Sequence, residues 1–179
     1  MQFHVNEIGS KGLPVDETLP VSVLEEIISG DLPTHFEPID PVQLTGRLQR
    51  TGDEVVVQLE ARFWLRTECA VCLKAMDTQV GLAVTQAIKP APRTRRKLPE
   101  DLELRPEDLD EAYYTGDVVD LSALVREQII LALPMFPRCG EDCQGLCPSC
   151  GADRNAVDCG CQAGEIDPRW AALKALKAH

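Results

Sequence analysis

The feature that most constrains this chain is the spacing of its cysteines. Cys139-Gly-Glu-Asp-Cys143-Gln-Gly-Leu-Cys147-Pro-Ser-Cys150-Gly151 is followed by Cys159-Gly-Cys161, so six of the eight cysteines fall within 23 residues. The other two form Cys69-Ala-Val-Cys72, far upstream. At Cys147-Pro-Ser-Cys150-Gly151 the cysteines stand two residues apart, with Pro after the first and Gly after the second. That pattern suits a tight turn in which both thiolates point inward and backbone N–H groups reach their sulfurs. A tetrahedral zinc ion takes half of its ligands in this way.

Whether eight thiols mean metal or disulfides depends on the compartment. The start, Met1-Gln-Phe-His-Val-Asn-Glu, has neither a basic region nor an apolar h-region, and no run approaches the roughly 20 apolar residues of a membrane span. The expected compartment is the cytoplasm, with no membrane partner. In a reducing cytoplasm the pattern favours metal over four disulfides. The 179 residues, 44% apolar, suffice for one full core with a small appended module. A net charge of −11 argues against a surface that coats nucleic acid by counterion release. Two four-thiolate zinc sites would each add about −2.

Along the chain, residues 1–8 suggest a weak edge strand and Gly9 to Pro14 a turn. Thr18 to Gly30 holds a predicted helix, with capping-box spacing at Ser22-Val-Leu-Glu25 and a stop at Gly30. Val42, Leu44, Gly46 and Leu48 alternate with polar residues. After the Thr51-Gly-Asp53 turn, Val55, Val57, Leu59, Ala61, Phe63 and Leu65 alternate again, and so do Val80, Leu82, Val84 and Ile88. The expected fold class is α+β: an antiparallel meander packed by one or two helices, with a C-terminal Cys-rich zinc-binding module. Residues 89–115 change character. Arg93, Arg95, Arg96 and Lys97 precede an acidic run, which reads as a flexible loop whose basic part is a candidate binding arm. Asp120 caps a helix through Leu133 that Pro134 ends, and a terminal helix is expected to begin at Asp167-Pro168. That last helix carries Arg169, Trp170, Lys174 and Lys177 as further partner-binding candidates. The domain reading is therefore 1–136 as the core, with a zinc knuckle at 69–72, and 137–179 as the Cys-rich module with its helix.

The cysteines fall into four pairs: Cys69/Cys72, Cys139/Cys143, Cys147/Cys150 and Cys159/Cys161. Loop closure favours Cys147, Cys150, Cys159 and Cys161 as one site and Cys69, Cys72, Cys139 and Cys143 as the other. A rival division joins Cys139/Cys143 to Cys147/Cys150, and a third has one zinc with the remaining thiols free. An all-thiolate set also suits an iron–sulfur cluster. No catalytic residue is assigned. His4, His35 and His179 lie far from the cysteines, and neither a His-Glu-x-x-His motif nor a phosphate-cradling Gly-rich loop is present. Neither catalysis nor a small-molecule substrate is expected.

Several of these stretches together resemble one family. Glu68-Cys-Ala-Val-Cys-Leu73, Asp120-Leu-Ser-Ala-Leu-Val-Arg-Glu-Gln-Ile-Ile-Leu-Ala-Leu-Pro134, Glu141-Asp-Cys-Gln-Gly-Leu-Cys-Pro-Ser-Cys-Gly-Ala152 and Asp167-Pro-Arg-Trp-Ala-Ala-Leu173 are similar to the YceD family. These are bacterial and plastid proteins associated with accumulation of large-subunit ribosomal RNA. The resemblance covers most of the chain from about Gly46. It implies a non-catalytic factor in large ribosomal subunit biogenesis, acting on a ribosomal protein or pre-large-subunit particle, with limited rRNA contact. It also implies the first division of the cysteines, with the distal four as an optional addition. The alternative from another class is a thiol redox or metal-handling protein.

Overall fold

The computed structural model describes residues 1–9, 11–30, 35–92 and 112–161. The chain divides into two compact units, Met1–Thr67 with Asp77–Met135, and Glu68–Met76 with Phe136–His179. Among the described residues no helix is long and apolar enough to cross a membrane.

The first unit is a sheet backed by two helices, an α+β arrangement. Its three long strands are β4 (Val42–Thr51), β5 (Glu54–Glu68) and β6 (Ala75–Pro90), which follow one another in the chain and lie side by side in the sheet. Strict alternation explains β5: Val55, Val57, Leu59, Ala61, Phe63 and Leu65 are buried, while Gln58, Glu60, Arg62, Trp64 and Arg66 face out. The β4–β5 register pairs Leu44 with Ala61 and Leu48 with Val57. At Gly46 a Cβ would run into Gln58 O, so only glycine allows this approach of the two strands.

Three short strands extend this meander. β2 (Leu13–Leu19) pairs antiparallel with β4 and forms the sheet's edge, β3 (Glu37–Pro38) pairs with β5, and β7 (Ala112–Tyr114) pairs parallel with β6. The sequence predicts a turn and a helix start over β2, and the structure has a strand there. Pro14, Asp16, Glu17 and Thr18 break the apolar alternation there, and such residues suit an outermost strand that resists pairing with a foreign sheet. The parallel β7 also departs from a purely antiparallel meander. It falls inside the stretch expected as a loop; residues 93–111 of that stretch lie outside the described residues. A separate two-stranded sheet joins β1 (Gln2–His4) to β8 (Val118–Asp120).

Helix α1 (Val21–Ser29) buries Leu24, Ile27 and Ile28. It starts from an extended Pro20, which leaves Ser22 inside the first turn, and no side-chain cap bond forms; the expected capping box is absent. Helix α2 (Ser122–Ala132) follows Asp120, whose Oδ1 accepts the Ser122 N–H at 2.8 Å. Leu133 is extended ahead of Pro134, which cannot continue a helix. Leu121, Val125, Ile129 and Leu133 join the α1 residues and the inward face of the sheet in a single core, with Phe63 its largest fully buried side chain.

Candidate metal centres

All eight cysteines belong to the second unit, and they form two groups of four. The first group is Cys69, Cys72, Cys139 and Cys143; the second is Cys147, Cys150, Cys159 and Cys161. Within each group every sulfur lies within 4.8 Å of the others. These are the sets that loop closure favoured, and the structure brings the rival pairings nowhere together as a four-sulfur set among the described residues.

Local backbone geometry builds the first group. In the Cys69–Cys72 turn the Leu73 N–H donates to Cys69 O at 2.9 Å, and Cys69 N–H donates to Lys74 O at 2.9 Å. Leu73 takes a left-handed conformation at φ 59°, rare for a residue with a branched side chain. The turn meets residues 137–139 through Ala70 N–H, which donates to Pro137 O at 2.8 Å, and Cys139 N–H, which points at Cys69 Sγ at 3.4 Å. The second group repeats the turn. Gly151 N–H donates to Cys147 O at 2.8 Å, and Gly151 is left-handed at φ 74°. Two of its cysteines, Cys150 and Cys161, are exposed against one, Cys139, in the first group; Cys69, Cys72 and Cys147 are buried.

The donor chemistry fits a soft dication. Cys72 Sγ and Cys139 Sγ are 3.6 Å apart and Cys69 Sγ and Cys143 Sγ 3.8 Å. A disulfide would need about 2.05 Å. Four sulfurs at the roughly 2.3 Å of a zinc–thiolate bond stand about 3.8 Å from one another in a tetrahedron. Protonation points the same way. Backbone N–H groups of Cys72 and Val71 bring the Cys69 thiol down to about 6, and those of Cys150 and Ser149 do the same for Cys147, to about 6. Within the same sets Cys139 is pushed up to about 12 by Cys143 and Cys72, and Cys161 to about 12 by Cys150 and Cys159. At Cys72 the Lys74 N–H pulls the thiol down, but burial and the neighbouring sulfurs outweigh it and the thiol stands raised. Each cage thus makes its first thiolate readily and resists completing four negative charges, the condition that a bound cation relieves. Each set offers four protein ligands, the number that a structural zinc site uses, where catalytic sites keep a position for water.

The supporting shell escaped the sequence reading. Asn155 donates through Nδ2 to Cys143 Sγ at 3.5 Å and to Asp153 Oδ1 at 2.7 Å, and its Oδ1 accepts the Gln144 N–H at 2.8 Å. Gly145, left-handed at φ 70°, sits against the first turn so closely that a Cβ would lie 2.6 Å from Val71 Cγ1. Lone amides and glycines between ligands carry no periodic signal, so nothing in the pattern of the sequence singles out Asn155. A pocket of about 460 Å³ beside the second group is lined by Arg154, Val157 and Asp158 together with Cys147, Cys159 and Cys161. The partner-binding candidates Arg93, Arg95, Arg96, Lys97, Arg169, Trp170, Lys174 and Lys177 lie outside the described residues.

Comparison with known proteins places this chain in a family. An uncharacterised protein of Mycobacterium tuberculosis and one of Mycobacterium bovis are each 36% identical to the chain over 107 residues, covering 59% of it and 47% of the relative. An uncharacterised protein of Mycobacterium leprae is 27% identical over 139 residues, 77% of this chain and 60% of the relative. The chain thus spans about half the length of the curated relatives it matches. No solved structure matches it significantly. Residues 57–177 match a family described as "Large ribosomal RNA subunit accumulation protein YceD", and they include all eight cysteines and helix α2. The chain belongs to the YceD family.

Proposed function

We propose that the chain is a non-catalytic factor in large ribosomal subunit biogenesis, working in the cytoplasm, whose two four-cysteine sets hold structural zinc. The observation that carries the zinc is the pair of closed four-sulfur cages, with sulfur separations of 3.6 and 3.8 Å in the first. The family description carries the biological process.

The metal-held loops form a surface that engages a ribosomal protein or a limited element of ribosomal RNA. Charge favours a basic protein over extensive RNA contact: the chain stands at −11, and two zinc–tetrathiolate centres make it more acidic. The basic stretches at Arg93–Lys97 and Arg169–Lys177 are the RNA-facing candidates. A thiol redox or metal-handling role is the competing reading, favoured by the exposure of Cys150 and Cys161.

One experiment separates the two. In a deletion strain, large-subunit rRNA falls relative to small-subunit rRNA, and the tagged chain sediments with pre-large-subunit particles. Absence from every such fraction, together with normal rRNA levels, overturns the assembly role. A Cys69–Cys72 disulfide that forms and reduces reversibly in cells supports the redox reading instead.

A further inference from the structure

The two cysteine sets are joined by one side chain. Asn155 belongs by sequence to the loop between Cys150 and Cys159, both of the second set, yet its amide donates to Cys143 Sγ of the first. We propose that Asn155 couples the two centres, so that metal held by the second set tightens metal binding at the first.

The hydrogen-bond network fixes the orientation of the amide. Nδ2 divides its two hydrogens between Asp153 Oδ1 and Cys143 Sγ, and Oδ1 accepts from Gln144 N–H. A flipped amide would put its oxygen against the Asp153 carboxylate and its NH₂ against a backbone N–H, two repulsive contacts. Asp153 also accepts the Asn155 backbone N–H at 2.9 Å, which holds the residue in a tight turn. Arg154 N–H donates to Gly145 O at 2.9 Å, and Leu146 N–H donates to Val71 O at 3.3 Å. Residues 144–146 are therefore tied on one side to the loop of the second centre and on the other to the first turn.

Closing this loop is what the second metal does. An ion shared by those sulfurs pins both ends of the eight residues between Cys150 and Cys159, adding to the backbone bonds from Cys147 N–H to Ala152 O and from Arg154 N–H to Gly145 O. With the ends released, Asn155 loses its fixed position and Cys143 loses a donor. An N–H donor to a thiolate stabilises the charged ligand and aims it at the metal. Such outer-shell groups typically contribute about 10–100-fold in metal affinity, and the exposure of Asn155 places it near the lower figure. Linkage makes the coupling reciprocal: a filled first centre tightens the second by the same factor.

The proposal rests on the metal reading above, and the test separates their failures. Zinc-loaded full-length chain is treated with a thiol alkylator, and the modification rate of each cysteine is followed by mass spectrometry. In the wild type Cys69 and Cys72 are protected. In Asn155→Ala and in the Cys150→Ser/Cys161→Ser pair they react about tenfold faster, and the combined variant is no faster than either alone. Asn155→Asp keeps the acceptor for Gln144 and removes the donor; it behaves like Asn155→Ala. In cadmium-loaded chain the resonance of the first centre moves in Asn155→Ala. Unchanged protection of Cys69 and Cys72 in the serine pair overturns the coupling, as does wild-type protection in Asn155→Asp or a multiplicative effect in the combined variant. A wild-type chain that binds no metal overturns both the metal reading and the coupling.

Discussion

Cys72 is followed by Leu73 where Cys150 is followed by Gly151, yet both residues close the same turn with positive φ. Left-handed backbone costs a β-carbon residue about 1–2 kcal/mol, and Leu73 is 59% exposed, so little burial offsets that cost. Leu73→Gly is expected to leave the metal-loaded chain as stable or up to ~1 kcal/mol more stable; a clear drop in thermal midpoint would show that the leucine side chain is needed there. Gly145→Ala acts in the opposite sense, because left-handed backbone combines with a Cβ that would lie 2.9 Å from Val71 O. It should cost ~1–3 kcal/mol and speed zinc loss to a chelator. A third position is legible through pH. Asp120 is brought down from 3.8 to about 2 by hydrogen bonds from the Ser122 N–H and hydroxyl and from Gln2. A lowered folded-state value contributes stability that is present above pH 3.8 and lost as pH falls towards 2. Asp120→Asn should therefore lower stability at neutral pH and flatten the fall between those two values. An unchanged acid-unfolding curve would count against that role. The sequence places the cap at Asp120, an Asp before an apolar period; the N-cap is Leu121, one residue later and without a side-chain cap bond, while Asp120 holds the helix entry by accepting the Ser122 N–H. The capping box at Ser22 failed because the extended Pro20 set the helix start instead.

Among the elements, β4, β5 and β6 were legible because each buries one face only, which writes a period of two into the sequence. β2 was not, since a charged edge strand has no reason to alternate fully. β7 was not either: its three residues in parallel register with β6 are recruited by the sheet rather than by their own pattern. Helix α2 buries Val125 and Ile129. Its Ile129 is fully buried among core side chains. Ile129→Ala removes three carbons from that site and should cost ~2–5 kcal/mol in urea unfolding. A loss below ~1 kcal/mol would mean that the core relaxes around the cavity or that the helix is less buried than its geometry shows.

For the molecule as a whole, stability comes from two different sources. The first unit has its own apolar core of sheet and helices, whereas among the described residues of the second the buried apolar side chains are Cys69, Cys72 and Cys147, all of them candidate ligands. Chelation is therefore expected to release hydrogen-exchange protection across residues 139–161 and leave Val57, Leu59 and Phe63 protected. Protection at 139–161 that survives chelation would contradict a metal-dependent fold there. The four-sulfur sets were legible in outline, since two-residue spacing marks a ligand pair; which pairs converge was a matter of loop length, and the amide linking the sets had no sequence signal. The account turns on the eight thiolates enclosing two ions, and X-ray absorption with metal counting on natively purified chain tests it most directly. It predicts two zinc ions per chain, each surrounded by four sulfurs at about 2.3 Å. Less than one metal per chain, nitrogen or oxygen in the zinc shell, or disulfides among Cys69, Cys72, Cys139 and Cys143 would contradict it.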